Sequence, residues 1–461
     1  MPLFREENFL VVHPGSENTL FSFGLRDSLS PPQYKIPSIV YQDPSSKEYK
    51  AKKEDNFIEI RPIKQSKIVD LEAFNALLKV ILLSVISNNP IITINQIPLL
   101  LLVPSSTWSR AEIEYITKYV FETLELTAFN ILDIAIASNF GIGTSTSSLV
   151  VNLGSTSTEI TPVINHQSIK FASKYLPGVG GAMINEQLKK LLPTLNDQQI
   201  EDLKTSGIYE VLNNHDGTFY SFDLNNNSGD DSFDVAKLVT ESNGDVKALE
   251  KKIEEEEEKE KETAPKKNSE LDKNFFVDSK TKEKIMVGKE RFSGSSVLVS
   301  ELSEAIYNAL LYIPDLEKRQ ECYDNLIFVG STFKIPGLKD AVIIKLANDH
   351  LVRPNNEDDA LKSINSAIAA YQRADEVSDG NELGLVTQVP SSIRASKYPE
   401  YFPEWKNPKE RGGSWEDLYF LGGSIYSKQI FGANSNHGRE MFIDTEIYEE
   451  YGPQGIWNVS I

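Results

Sequence analysis

Cysteine is nearly absent. The single thiol in 461 residues, Cys322, excludes an internal disulfide framework and suits a reducing compartment. Histidine is sparse: five scattered residues, with one cysteine, offer no spacing that resembles a zinc site. Positive charge is in deficit. Lys and Arg number 47 against 67 Asp and Glu, a net charge of −20, and such a surface does not hold phosphate backbones by itself. Direct nucleic-acid binding is not expected, although an assembly with basic partners remains compatible. Long apolar runs are missing too. "LLKVILLSVISNNPIITINQIPLLLLVP" is broken by Lys79, Asn88, Asn89 and Pro90, so no piece reaches the roughly 20 residues of a bilayer span. "MPLFREENFLVV" carries acids where a signal peptide has its apolar run. These absences predict a soluble intracellular chain with no membrane partner.

What is present is ordinary globular material, 40% hydrophobic and 10% aromatic, long enough for two or three cored domains. A repeat stands out. "LVVHPGSENTLFSFG" from Leu10 and "LVVNLGSTSTEITPV" from Leu149 share Leu-Val-Val, two residues, then a Gly-Ser pair (Gly15 and Ser16, Gly154 and Ser155). Each reads as a β-hairpin with a tight glycine turn. Between them, Leu71, Phe74, Leu77, Leu78 and Ile81 form a helical stripe with Asp70 as N-cap. "IPLLLLVPS" reads as a strand buried on both faces. Ser109 caps an amphipathic helix carrying Ile113, Ile116, Val120 and Leu124. A helix is expected around "ILDIAIASNFG", and another after the glycines of "YLPGVGGAMINEQLKKLLP". Strands alternating with helices predict an α/β fold. Two polar stretches, residues 223–272 with its "EEEEEKEKE" run and residues 353–385, read as insertions, the first disordered.

In chain order, "IPSIV", "VFETL", the paired hairpins, "IMVGKERF", "LIFVGSTFKIPGL", "YFLGGSIYSKQIF" and "YEEYGPQGIW" resemble the actin family from end to end. "IPLLLLVPSSTWS", "INEQLKKLLP", "KYPEYFPEWK" and "SKQIF" are similar to nuclear actin-related proteins of SWI/SNF-type and RSC-type chromatin remodellers. The resemblance implies an actin-like α/β fold of two similar halves facing a cleft, shared with the sugar-kinase superfamily. Residues 1–147 and 411–461 would make the first half, and residues 148–410 the second. Each half would offer one hairpin to the phosphates of a nucleotide, whose backbone amides can form anion-binding concavities.

The family's chemistry does not carry over residue by residue. Its two hairpin aspartates, which hold magnesium and position water, match His13 and Asn152. Its phosphate lysine matches Leu20, and a loop glycine near the terminal phosphate matches Glu17. An acid about 4 Å from a phosphate costs on the order of 4 kcal/mol at an effective dielectric of about 20. Ser155 and Thr156 replace a further acid and glycine. Asp133, within two residues, takes the place of the water-orienting glutamine, and reads as a helix-surface or capping residue. Gly330 and Ser331 replace the paired glycines of the adenosine loop. His13 reads as packed or solvated, and Cys322 as half buried with no activating base.

No catalytic residue, metal or cofactor is therefore expected beyond at most weak residual ATP binding. A shortened second-subdomain loop argues against filament formation. The resemblance implies a nuclear scaffold that pairs with a second actin-related protein. It would ride on the helicase–SANT-associated helix of a remodeller ATPase, with a small accessory subunit bridging the pair. The helix-docking cleft of the family matches Phe140, Leu421, Ile425, Tyr426 and Ile430, with Tyr426 placed at its rim. Two alternatives stand beside this reading: a nucleotide-dependent actin-family ATPase, and a cytoskeletal or dynactin-type actin-related protein.

Overall fold

The computed structural model describes residues 4–25, 29–212, 268–351, 389–406, 414–432 and 441–459. Of the two polar stretches, residues 353–385 and 223–267 lie outside these. Residues 268–272 lie inside and belong to the fold, which corrects the expected boundary. They form a short turn, Asn268–Glu270, whose carbonyls accept from the fully buried Arg291; one guanidinium nitrogen donates to Asn268 O at 2.7 Å and also to Leu271 O.

The first hairpin is β1 (Leu10–Pro14) and β2 (Asn18–Phe23), extended by β3 (Tyr34–Pro37). The stripe after Asp70 becomes α1 (Leu71–Asn88), and the Asp70 carboxylate caps it by accepting from Ala73 N at 2.9 Å. By length and apolarity α1 could cross a membrane. Its buried Phe74, Leu77, Leu78, Ile81 and Leu82 instead pack into the core of the first half. β4 (Leu99–Val103) is buried at every residue, as its apolar run predicts. α2 (Arg110–Glu122) opens with a capping box between Ser109 and Glu112.

"ILD" is not helical, contrary to expectation. It ends β5 (Ala128–Asp133), and α3 (Ile134–Ile142) begins only after it. The three residues pair in parallel register with residues 101–103 of β4, and that ladder overrides any local helical preference. β1, β4 and β5 run parallel in one six-stranded sheet.

The second half repeats the plan. β6 (Ser148–Leu153) and β7 (Ser157–Ile164) form the second hairpin, α4 (Gly181–Leu191) follows the glycine turn, and β8 (Leu326–Val329) runs parallel to β6. Each half thus pairs a hairpin with a parallel neighbour. The sequence repeat is a structural repeat.

Between the two sheets lie α3 and α5 (Leu418–Phe431). One core cluster joins Val11, Leu100 and Leu132 of the first sheet to Val150, Ile327 and Val329 of the second around these helices. The helices meet backbone to backbone. A Cβ added at Gly422 would lie 1.7 Å from Ala137 O, and one at Gly141 would lie 2.8 Å from Leu418 O. No side chain fits there without separating the helices.

Gly422→Ala is expected to lower unfolding free energy by about 3 kcal/mol or to prevent folding, despite the better helix propensity of alanine. Gly207→Ala, where the added carbon meets nothing within 4 Å, is expected within about 0.5 kcal/mol of wild type. Urea unfolding of both variants checks the contrast.

Candidate functional site

The site lies where the two hairpin turns face each other. In the first, Gly15 N donates to Asn18 O at 3.1 Å, and a Cβ on Gly15 would lie 2.6 Å from the same oxygen. In the second, Gly154 N donates to Ser157 O at 2.9 Å. The carbonyls of Gly154 and Ser155 accept from Gly181 N at 3.1 Å and Ala182 N at 2.7 Å, the first amides of α4. Those helix N-terminal donors, the usual place for an anion, are already satisfied by backbone. Gly330 (φ +104°) passes so close to the second hairpin that its Cβ would lie 2.3 Å from Leu153 O. Only glycine fits there, and Ser331 opens the turn that follows, Ser331–Lys334.

The charges do not suit magnesium and a triphosphate. His13 is the penultimate residue of β1, with its ring edge-on to Tyr419 (centroids 4.6 Å apart) and its Nδ1 directed at Leu102 O, 3.5 Å away. Burial pushes its pKa down to about 4, against the upward pull of the Leu102 carbonyl and Asp417, so the imidazole is neutral at pH 7. Leu20, directly across the ladder from His13, packs into the central core. Asn152, the penultimate residue of β6, lies opposite Glu159. The expected repulsion by Glu17 needs correction: its carboxylate turns to Arg61, 2.8 Å away, in an exposed ion pair. Among the described residues, no group of three or more His, Cys, Asp or Glu is placed to hold a metal ion. Magnesium on a nucleotide takes one or two carboxylate oxygens beside the phosphates, and neither His13 nor Asn152 offers one.

Other polar groups occupy the cleft instead, and they cross it. Glu159 is buried in β7, and its carboxylate accepts from Ser105 N (3.1 Å), Ser106 N (3.2 Å) and Ser106 Oγ (2.8 Å) of the first half. Burial lifts its pKa, opposed by the Ser106 hydroxyl and assisted by nearby Asp133. Asp133 does cap α3, accepting from Ala135 N at 2.8 Å. It is no helix-surface residue, because it is buried, accepts from Ser105 Oγ and pairs with Lys170 Nζ of the second half at 2.5 Å. At the adenosine loop, Lys334 pairs with Asp417 at 2.7 Å, and Gly330 N donates to Glu416 O at 2.8 Å.

A third set of contacts centres on Ser66. Ser66 N donates to Ser16 Oγ at 2.9 Å, and its hydroxyl lies 3.0 Å from Ser157 Oγ. Tyr175 OH donates to the neighbouring Gln65 O at 2.8 Å. Sequence reasoning missed Glu159, Lys170, Ser66 and Tyr175. One signal was available: Glu159 is the only charged residue in "STEITPVI", whose first seven residues are buried.

Two further readings need correction. Tyr426 is not at a rim. It is 1% exposed, and its hydroxyl accepts from Asn130 Nδ2 at 3.3 Å. Leu421 and Ile430 are fully buried with it, because α5 is enclosed between two sheets. Of the five cleft candidates, only Phe140 and Ile425 keep part of their surface. Cys322 is fully rather than half buried, and burial pushes its thiol up to about 12, which leaves it unreactive.

The His13 shift has a measurable consequence. The folded pKa lies below that of an unfolded histidine, so its contribution to stability is complete above about pH 6.5 and is lost as pH falls towards 4. The loss amounts to about 3 kcal/mol at most. Urea unfolding of His13→Gln between pH 7 and 4.5 is expected to show a flatter pH dependence than wild type.

A family model described as Actin matches residues 4–352. Over 544 aligned positions, covering 99% of each chain, the sequence is 26% identical to the SWI/SNF and RSC complexes subunit arp9 of Schizosaccharomyces pombe. The match spans most of the chain, both hairpins included, and agrees with the two half-sheets facing one cleft. The chain belongs to the actin family.

Proposed function

We propose that this chain is a non-catalytic, nuclear actin-related scaffold subunit of SWI/SNF-type and RSC-type chromatin remodelling complexes. The observation that carries the proposal is the end-to-end match to a relative named as a subunit of those complexes. The site supports the non-catalytic part: neutral His13 and apolar Leu20 stand where magnesium–ATP chemistry needs charge. The chain would pair with a second nuclear actin-related protein. The pair would bind the helicase–SANT-associated helix of the ATPase subunit, with a small accessory subunit bridging them. The ATP consumed would be the partner's.

The docking trench rests on Phe140 and Ile425, the candidates that keep exposed surface. Tyr426 would act from below, its ring 5.7 Å from that of Phe140. An apolar helix laid over these two residues buries both.

Single-turnover hydrolysis with magnesium–ATP is expected to give no rate above background. A rate comparable to actin's would overturn the non-catalytic reading. Affinity purification is expected to recover a remodeller ATPase and a second actin-related protein; dynactin components in their place would overturn the assembly. Ile425→Asp buries an unpaired carboxylate in any such interface. It is expected to lower recovery at least about tenfold while circular dichroism stays unchanged.

A further inference from the structure

We infer that the cleft of this chain is stapled shut by its own side chains, which take over the bridging that a nucleotide's phosphates give two facing hairpins. The contacts form three groups, each joining the first half to the second. The first is a connected network: Glu159 accepts from Ser105 and Ser106, Ser105 donates to Asp133, and Asp133 pairs with Lys170. Lys170 also donates to Ser105 O. Each member orients the next, so the charge-assisted bonds reinforce one another. A carboxylate buried as deeply as Glu159 is tolerated only when its oxygens are bonded, and its donors lie on the opposite half.

The second group replaces a shared phosphate most directly. Ser66 is the common partner of both hairpins, through Ser16 of the first and Ser157 of the second. Its own carbonyl accepts from Thr107 Oγ1 at 2.6 Å and Trp108 Nε1 at 3.0 Å. Gln65 and Ser66 both adopt left-handed backbone (φ +50° and +60°), a conformation that costs energy without glycine and persists only where surrounding bonds fix it. Tyr175 of the second half supplies one of those bonds to Gln65 O, and Lys67 Nζ sits 4.8 Å above its ring. The third group is the Lys334–Asp417 pair at the adenosine loop. Hydroxyls and paired charges thus stand between the turns. The chain holds a closed cleft whatever assembly it joins.

Hydrogen–deuterium exchange on the full chain tests this staple. In wild type, protection of residues 63–68 and 104–107 is expected to be the same in EDTA as in millimolar magnesium–ATP. Glu159→Ala combined with Lys170→Met is expected to speed exchange there at least about tenfold, with β4 and β6 unchanged. Should that variant not fold, Ser66→Ala combined with Tyr175→Phe removes two cleft hydroxyls and is expected to speed exchange at residues 63–68 at least about threefold. Wild-type exchange rates in a folded variant would overturn the inference, as would strong nucleotide-dependent protection in wild type. Neither readout involves a partner protein, so a failed co-purification leaves the staple standing, and the reverse holds too.

Discussion

The structure turns on one close approach, the Gly422 backbone against the Ala137 carbonyl. It lets α3 and α5 lie in direct contact in the layer shared by the two sheets. With that layer fixed, Val11 and Leu100 of one sheet and Val150 and Ile327 of the other pack onto the same pair of helices. Strands of both hairpins, β1 through Val11 and β6 through Val150, therefore rest on one shared helical layer. A methyl group there would push apart the two helices on which both sheets pack.

On the non-catalytic reading proposed above, the site exchanges one kind of chemistry for another. A phosphate site needs fixed positive charge, free amides and carboxylates for the metal. Here His13 is neutral and packed edge-on against Tyr419, the α4 amides are spent on hairpin carbonyls, and Glu17 is drawn off by Arg61. In place of those groups stand short-range bonds among serines, Glu159, Asp133 and Lys170. The exposed Glu17–Arg61 pair adds little stability. The buried carboxylate matters more, since unbonded it would be costly.

Local signals were legible in the sequence and distant ones were not. The hairpins could be read because a glycine turn between alternating residues is a short-range pattern, and the Asp70 and Ser109 caps because donor and acceptor lie three residues apart. The capping role of Asp133 was readable for the same reason. Its burial was not, since Lys170 is 37 residues away, nor was the pairing of Glu17 with Arg61, 44 residues away. Tyr426 misled because a tyrosine in an apolar helix suits a rim or an interior equally. Only the enclosure of α5 between two sheets decides it. "ILD" misled because apolar residues near a helix start serve strand or helix, and the β4 ladder chose strand.

This member of the actin family keeps the fold, and the central proposal is that it does without the nucleotide. Isothermal titration of magnesium–ATP into the purified full-length chain tests it most directly. The account predicts no saturable binding tighter than about 1 mM, roughly −4 kcal/mol. One-to-one binding at micromolar affinity or better would contradict it.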